Sequence, residues 1–437
     1  MVAGSGIVQA GMMQAIERLG YRVTVGDVAA QAGLDLNSAQ QGLLALASDA
    51  GGHLQVAESG DIVFAFPQDF RSIIRSKHFQ LRLQEWWSKV WKFLFYLIRV
   101  SFGVALLASI LLISLAIVLL VTAINSSQDN DDRGSDGGIF FPQFWLGPDF
   151  FWIFSPNYYD DRSTGARRSR SSEESSMNFL EAVFSFLFGD GNPNADREAQ
   201  RWQTIGTVIR NQRGAVAAEQ LTPYLDNLGQ GFAQEYEEYM LPVLTRFNGR
   251  PEVSPAGAIV YHFPELQTTA AQTSRKPVAA YLPEIPWRFS RAASGQRILA
   301  AILGGVNLVG ALTLGKLLQG AAFSGGLIGF VQSIYWLLLG YGLGFVLIPL
   351  GRYFWIQWRN AQISQRNQVR QARAETLAQA DATLQEKIAY AQQFATETVI
   401  GQENLVYSTD RDLIEQEIEQ AEATDAAWER RLNQRSD

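Results

Sequence analysis

Residues 60–67 read GDIVFAFP, and residues 257–264 repeat nearly the same sequence as GAIVYHFP. Each copy alternates β-branched and aromatic residues and closes on a proline, which is typical of a strand that ends at a breaker. The match extends upstream to VAESGDIVFAFP, from Val56, and VSPAGAIVYHFP, from Val253, with a glycine between two short apolar runs in each copy. The sequence therefore predicts a β-hairpin that occurs twice, 197 positions apart.

The segments upstream of the two hairpins extend the repeat, with an offset of 193 positions in place of 197. In the first copy, apolar residues at helical spacing predict three helices before the hairpin. Three helices followed by a two-stranded wing is the order of a winged-helix domain, a relative of the helix-turn-helix. We therefore predict winged-helix-like domains over residues 1–70 and 195–266. The matched apolar positions are Ile16 and Ile209, Val23 and Val216, and Val28 and Leu221.

The charges of the two repeats bear on the choice between nucleic acid and protein as partner. Residues 1–67 hold two arginines and six acidic residues, and residues 195–266 hold six arginines and nine acidic residues. The predicted recognition helix of the first repeat, NSAQQGLLALAS over residues 37–48, contains no Lys or Arg. Because phosphate neutralisation supplies most non-specific affinity for nucleic acid, we expect both modules to contact proteins.

Two long uncharged regions predict a helical transmembrane region in a chain that is 47% hydrophobic and 18% charged. Residues 100–124 contain no charge and are long enough to span a bilayer core at ~1.5 Å per residue. Residues 71–99 precede them as a basic amphipathic juxtamembrane helix with seven basic residues and one acid. Residues 298–351 carry one charge, Lys316, and predict a transmembrane hairpin of residues 298–318 and 327–350. Glycines that would permit close helix packing are Gly304, Gly305 and Gly310 in one arm and Gly340, Gly342 and Gly344 in the other.

Basic residues precede the first apolar region, acidic residues follow it, and basic residues lie at both ends of the second region. This distribution predicts that the N- and C-termini lie on the cytoplasmic side. An even number of crossings is then required, so the sequence predicts a further crossing between the two regions. The candidate is an aromatic stretch, IFFPQFWLGPDFFWIF over residues 139–154, which either spans as a broken helix or lies in the interface. The rest of residues 125–176 reads as a flexible loop of acidic and basic segments, and residues 177–190 predict a short interfacial helix.

The remaining segments are a linker over residues 267–297 and a helical C-terminal arm over residues 352–437. Leu377, Leu384 and Ala391 fall seven positions apart, which is typical of a heptad seam. Gly401 interrupts the pattern and Asp410 is placed to cap a second helix, so we predict a C-terminal α-hairpin. Either this arm folds on itself in solvent or it docks a partner or a second copy of the chain.

No constellation of residues predicts catalysis. The chain has no cysteine, which excludes disulfides, thiolate nucleophiles and cysteine-held metal clusters. Its three histidines, His53, His78 and His262, stand in separate segments. The loop GDGNPN over residues 189–194 lacks both the EF-hand ligand spacing and the P-loop lysine. We therefore predict no catalytic, cofactor-binding or metal-binding residue, no cofactor, and a protein that is not an enzyme.

Residues 177–216, MNFLEAVFSFLFGDGNPNADREAQRWQTIGTVIRNQRGAV, resemble a family of membrane proteins from cyanobacteria and plastids. Plant members of that family carry an iron–sulfur cluster biosynthesis label. The resemblance implies a photosynthetic lineage and a thylakoid, cytoplasmic or chloroplast-envelope membrane. Because the chain has no cysteine, any role in cluster biogenesis would be indirect.

These observations together predict an α+β protein with two winged-helix-like repeats, a helical transmembrane region and a C-terminal α-hairpin. We expect an integral membrane scaffold or assembly or regulatory factor that uses the tandem modules for protein contacts. Its expected partners are membrane lipid, other proteins and a second copy of the chain, and not nucleic acid. One alternative is a membrane-tethered DNA-binding transcription regulator. The other is a small transporter or channel, although neither arm of the hairpin carries the interior acid or histidine that marks most ion paths.

Overall fold

The structure is a computed structural model that describes residues 2–77, 79–128, 177–272, 274–319 and 325–418, together with residues 421, 425, 426 and 428. The fold is mixed α/β and mostly helical. The chain divides into two compact units. The repeat unit comprises Met1–Trp86, Asn194–Ile285 and Ile363–Asp437, and the helical unit comprises Trp87–Pro193 and Pro286–Gln362.

The first repeat has the order helix, strand, two helices and a β-hairpin. Thr24 begins the second helix: its Oγ1 accepts a hydrogen bond from Asp27 N at 3.0 Å, and Asp27 Oδ2 accepts one from Thr24 N at 2.9 Å. This reciprocal capping satisfies two backbone donors at the helix start, and Gly33 ends the helix in the left-handed conformation. The elements are α1 (Val2–Arg18), β1 (Arg22–Thr24), α2 (Val25–Ala32), α3 (Leu36–Ala50), β2 (His53–Ala57) and β3 (Ile62–Ala65).

Two helices follow the hairpin of the first repeat, and a third precedes the second repeat. They are α4 (Phe70–Lys77), α5 (Phe79–Gln128) and α6 (Phe179–Phe188). The predicted boundary between a juxtamembrane helix and a spanning helix at residue 100 is not a break in the backbone, since α5 runs through it.

The second repeat keeps the same order, but its middle helices are short. The predicted second helix is replaced by two 3₁₀ turns, Ala218–Gln220 and Thr222–Tyr224, because Pro223 has no backbone N–H to continue an α-helix. The predicted third helix of this repeat, near residues 235–247, is interrupted at Glu237, which takes a positive φ of 53°, and its regular α-helical part is Leu241–Phe247. The elements are α7 (Arg197–Asn211), β4 (Ala215–Ala217), α8 (Phe232–Glu235), α9 (Leu241–Phe247), β5 (Arg250–Val253) and β6 (Ile259–His262).

The two repeats share one strand register. The strand order is β1-β3-β2 in the first repeat and β4-β6-β5 in the second. Arg22 pairs with Ala65 in the first repeat, and the equivalent pair in the second repeat is Ala215 with His262. The predicted offset of 193 positions therefore holds for the first strand, from Arg22 to Ala215, and the offset of 197 holds for the last strand, from Ala65 to His262. The turn before the first strand is left-handed in both copies, at Gly20 and Tyr21 and at Arg213 and Gly214. Every matched apolar position predicted from the sequence is fully buried, namely Ile16, Ile209, Val23, Val216, Val28 and Leu221.

The C-terminal segment differs from the predicted α-hairpin because two short strands lie within residues 398–408, between its two arms, whereas residues 413–418 of the second arm are helical. After α10 (Pro264–Gln267), the short strand β7 (Thr268–Thr269) pairs in parallel with β8 (Thr398–Val399). The strand β9 (Leu405–Ser408) pairs antiparallel with β2, with Val56 opposite Tyr407. An edge strand such as β2 leaves backbone groups unpaired, and β9 satisfies them. The heptad seam is also divided, since Asp381 caps a new helix, α13 (Ala382–Gln392), after α12 (Gly326–Ala378).

Within the described residues, three helices of the helical unit are long and apolar enough to cross a membrane. They are Trp86–Ile124 within α5, α11 (Ser294–Gln319) and the helix α12. α5 and α11 are joined by a buried hydrogen bond of 2.7 Å from Ser109 Oγ to Asn307 Oδ1. The short apolar helix α6 buries its predicted stripe against these helices, with Phe179 and Val183 in one cluster with Leu106. The predicted aromatic segment 139–154 lies outside the described residues.

Only some of the predicted small residues serve helix packing. A Cβ atom at Gly304 would overlap the ring of Phe345, and one at Gly342 would lie 3.2 Å from the backbone of Leu308. Gly305 and Gly340, in contrast, face open space. Close approach of α11 and α12 therefore depends on particular glycines and not on glycine content as such.

Candidate functional site

The two repeats are packed together across a seam inside the repeat unit. Arg246 of α9 donates to the carbonyl oxygen of Gly33 at 2.9 and 3.2 Å, and its guanidinium lies 4.3 Å from the centre of the Trp202 ring. Gly206 lets α7 approach the backbone of Ala30 in α2. The only basic residue of the short helix α9 therefore faces the first repeat.

Asp27 is the polar centre of this seam. It is 2% exposed, and every group around its carboxylate is a donor. Oδ2 accepts from the backbone N of Thr24 and Ala270, at 2.9 and 3.0 Å. Oδ1 accepts from Thr269 Oγ1 at 2.9 Å and from Arg210 Nη2 of α7. One buried carboxylate thus joins α2, α7 and β7.

The third-helix region of each repeat presents an outer surface without basic residues. On α3 the exposed positions include Gln40, Gln41 and Leu44, and Leu44 is 43% exposed. The equivalent stretch of the second repeat exposes Phe232 and Tyr236, which are 66% and 56% exposed and whose rings are in contact, with centres 4.1 Å apart and planes tilted by 33°. We call these two patches the third-helix surfaces. Their chemistry is apolar, amide and acidic, since the exposed charged neighbours in the second repeat are Glu235 and Glu238.

A strongly basic hollow opens elsewhere along the seam, and we call it the cationic cavity. It consists of two adjoining pockets of about 200 Å³ and about 240 Å³ that share Ser274 and Lys276. Six cations and two carboxylates line it, an excess of four positive charges in a chain whose net charge is −7. The cations are Arg18, Arg22, Arg210, Arg213, Arg275 and Lys276, and the carboxylates are Asp27 and Glu397.

A second charged cluster holds residues 366–373 of α12 to the second repeat. Arg370, whose side chain is 3% exposed, donates to both Asp226 and Glu284 at 2.7 Å. Arg366 binds both oxygens of Glu284, at 2.7 and 2.8 Å. Burial by itself would raise the pKa of Glu284, but its hydrogen bonds to Arg366 and Arg370 outweigh burial and lower the pKa to about 2. The pKa of Asp226 is likewise lowered to about 2, against burial, by Arg197 and its neighbours.

A third cluster anchors α13 to the second repeat. Lys387 Nζ lies between Glu219 Oε1 at 2.8 Å and Glu237 Oε1 at 2.5 Å. Tyr261 donates to the other oxygen of Glu237 at 2.8 Å. Burial, followed by this hydrogen bond to Glu237, raises the pKa of Tyr261, so the phenol stays a donor. Lys387 thus binds both carboxylates and attaches α13 to the second repeat.

Two of the three histidines and the GDGNPN loop contact other side chains or backbone groups of the protein. His53 Nε2 lies 3.4 Å from Asp410, and the His262 ring stacks on Phe394 at 5.7 Å. No group of three or more metal-ligating side chains occurs within the described residues, and His78 lies outside them. In the GDGNPN loop, Asp190 Oδ2 accepts from Ser185 Oγ and Arg291 N, both at 2.8 Å, and so ties the loop to its own unit. The prediction that the chain has no catalytic or cofactor site stays a prediction.

No sequence pattern indicates the cationic cavity, because its cations come from several separate segments. Arg18 and Arg22 belong to the first repeat, Arg210 and Arg213 to the second, and Arg275 to the predicted linker over residues 267–297. Each repeat is net negative when counted along the chain. The fold concentrates the cations at the seam, a result that could be found only from the packing of α2 on α7.

Comparison with known proteins finds a plant relative. The chain is 40% identical over 440 residues to the Arabidopsis thaliana protein At5g03900, described as chloroplastic and uncharacterised, and the match covers 97% of this chain and 82% of the relative. No family model and no solved structure matches the chain.

Proposed function

Because the chain belongs to the same family as the chloroplastic Arabidopsis protein At5g03900, we propose that it is an integral membrane scaffold or assembly factor of a plastid-type or cyanobacterial membrane. In this proposal the two repeats are winged-helix modules that contact proteins. The three helices of sufficient length and apolar character support a membrane location. The chloroplastic relative supports a photosynthetic one.

The observation that carries this function is the chemistry of the third-helix surfaces. In a DNA-binding winged helix, this region meets the major groove and needs cations to neutralise phosphate. Here it exposes Leu44 in one repeat and the contacting pair of Phe232 and Tyr236 in the other, and Arg246 is turned into the seam. Exposed aromatic side chains without cations are typical of surfaces that bind protein.

The composition of the repeat unit also supports a topology. The unit combines chain from before α5, from between α6 and α11, and from the end of α12 onwards. A compact polar unit lies on one side of a bilayer, so we place both repeats and β9 together on the basic, cytoplasmic or stromal side. The chain must then cross the membrane a second time between the end of α5 and Asn194, so that the second repeat returns to the side of the first. The candidate for it, residues 139–154, lies outside the described residues.

Co-purification of the full-length, affinity-tagged protein in mild detergent tests the function. We expect a reproducible protein partner whose recovery falls about tenfold in the Phe232→Ser/Tyr236→Ser variant, because a few aromatic residues carry most of the binding energy of an interface. Val253→Ser is the matched control, since Val253 is 63% exposed but lies on the hairpin of the same repeat. Recovery of the protein alone, or equal recovery with the double variant, would contradict the scaffold. Retardation of duplex DNA by the full-length protein at ~50 mM salt would favour the transcription regulator in its place.

A further inference from the structure

The cationic cavity is a feature of the repeat unit that the proposed scaffold function does not use. Charged clusters elsewhere in the repeat unit are closed by opposite charges, as Arg370 is by Asp226 and Glu284. In the cavity, neither Arg213 nor Arg275 has an ion-pair partner among the described residues. An unbalanced group of cations around a hollow is expected to attract an anion.

Two carboxylates, Asp27 and Glu397, leave an excess of four positive charges among the residues that line the cavity. Asp27 is already saturated by four donors, of which Arg210 is one. Arg22 donates to the carbonyl oxygens of Ala270 and Ile400, at 2.8 and 2.7 Å, and to the amide of Gln55. These partners hold its position but carry no negative charge. Buried donors on Arg22 Nη2 and Arg210 Nε have no hydrogen-bond partner within the described part of the chain.

The backbone of the cavity is fixed before any ligand arrives. Asn211 binds both main-chain groups of Lys276: its amide nitrogen donates to Lys276 O at 2.8 Å, and its Oδ1 accepts from Lys276 N at 3.1 Å. Lys276 Nζ donates to Gln31 Oε1 at 2.5 Å. Burial, followed by the nearby charge of Arg210, lowers the pKa of Lys276. A preorganised site loses less entropy when it binds.

We propose that the cationic cavity binds a phosphate group, carried either by a soluble phosphorylated small molecule or by a phospholipid headgroup. Guanidinium groups form paired hydrogen bonds with phosphate oxygens, and three arginines with a lysine around a hollow of about 200 Å³ match one or two phosphate groups. Because the cavity is formed by α2 of the first repeat, α7 of the second and residues 274–276, an occupant joins the two repeats. The ligand thereby stabilises their relative position.

The test uses the full-length protein in a neutral detergent and two probes. Inorganic pyrophosphate represents a soluble ligand, and dihexanoyl phosphatidylglycerol represents a lipid headgroup, with dihexanoyl phosphatidylcholine as the zwitterionic comparison. We expect calorimetry to give a Kd below about 1 mM for at least one anionic probe, with affinity that falls as salt rises. Binding of pyrophosphate identifies a soluble ligand, and binding of phosphatidylglycerol alone identifies a lipid.

Variants make the assignment specific to the cavity. Arg213→Gln and Arg275→Gln each remove a cation that has no acidic partner, and each should weaken the bound probe about tenfold. Arg250→Gln, on the exposed strand β5, is the matched control and should bind like the wild-type protein. An unfolding temperature equal to that of the wild-type protein, measured without ligand, shows that a variant is folded. If Arg213→Gln or Arg275→Gln is not folded, Lys276→Gln takes its place. The proposal is overturned when neither probe binds, or when the cavity variants bind as tightly as Arg250→Gln.

Discussion

Arg210 and Asp27, 183 positions apart, form the ion pair that joins the two repeats. Their side chains are 15% and 3% exposed, so the pair is shielded from water. The same carboxylate caps α2 through Thr24 and holds β7 through Thr269. Capping, the packing of the repeats and the attachment of the segment after the second hairpin therefore depend on one side chain.

Replacement of Asp27 by Asn should destabilise the whole repeat unit. All four groups around the carboxylate are donors, so the amide nitrogen of Asn would face a donor in either orientation and Arg210 would lose its counter-charge. Breaking a buried pair by removing one partner costs about 3–5 kcal/mol. We expect a clear fall in the unfolding temperature of the full-length protein, followed by tryptophan fluorescence. Asp61→Asn, at an exposed hydrogen bond with Ser59, serves as the control and should leave the temperature unchanged.

The Arg366, Arg370 and Glu284 cluster predicts a specific sensitivity to acid. The pKa of Glu284 is about 2 in the fold and about 4.3 in an unfolded chain. A lowered pKa means that the folded state binds the proton less readily than the unfolded state. The contribution to stability is thus fully present above about pH 4.3 and is lost as the pH falls toward 2.

Unfolding temperatures between pH 7 and pH 3 measure this contribution. Wild-type protein should lose stability below about pH 4.3, and Glu284→Gln should be less stable at pH 7 and flatter in its acid response. Glu386→Gln removes an exposed carboxylate from α13 and should reproduce the wild-type curve. Identical acid curves for wild type and Glu284→Gln would show that the cluster does not stabilise the fold.

Patterns confined to neighbouring residues allowed much of the repeat unit to be predicted. The two hairpins follow from alternation and proline, and Val23 and Val216 were matched from sequence and are both fully buried. The second and third helices of the second repeat were overestimated because apolar spacing does not register the effect of Pro223 or of the positive φ angle at Glu237. Periodicity reports which side of a segment is apolar and not whether its backbone can stay helical.

Contacts between segments that are distant in the chain could not be predicted from local sequence patterns. The strand β9 pairs with β2 about 350 positions earlier, and its four residues carry no local signal that selects this partner. The same holds for the cationic cavity, where Arg210 and Arg275 line one pocket although neither segment shows an excess of basic residues that would indicate a site. Net charge counted along the chain cannot detect a charge excess that packing creates.

Two adjacent glycines in α11 offer a matched pair for the helical unit. Gly304→Ala should loosen the packing of α11 on α12, since its Cβ would overlap the ring of Phe345, which is 2% exposed. Overpacking of this kind costs about 1–3 kcal/mol. Gly305→Ala adds the same methyl group where nothing lies within 4 Å and should be neutral or slightly stabilising. Thermal aggregation in detergent distinguishes the two variants, and equal behaviour would refute a packing role for Gly304.

The proposed topology can be measured with single cysteines, because the chain has none of its own. Glu58→Cys and Pro255→Cys lie at equivalent tips of the two hairpins, and Gln402→Cys precedes β9. All three belong to the repeat unit, so a membrane-impermeant maleimide should label them from the same side of oriented vesicles. Gly325→Cys, between α11 and α12, should be labelled from the opposite side, because one apolar helix separates it from the second repeat. Labelling of Glu58→Cys and Pro255→Cys from opposite sides would mean that the repeats do not share a compartment, and the return crossing before Asn194 would then be wrong.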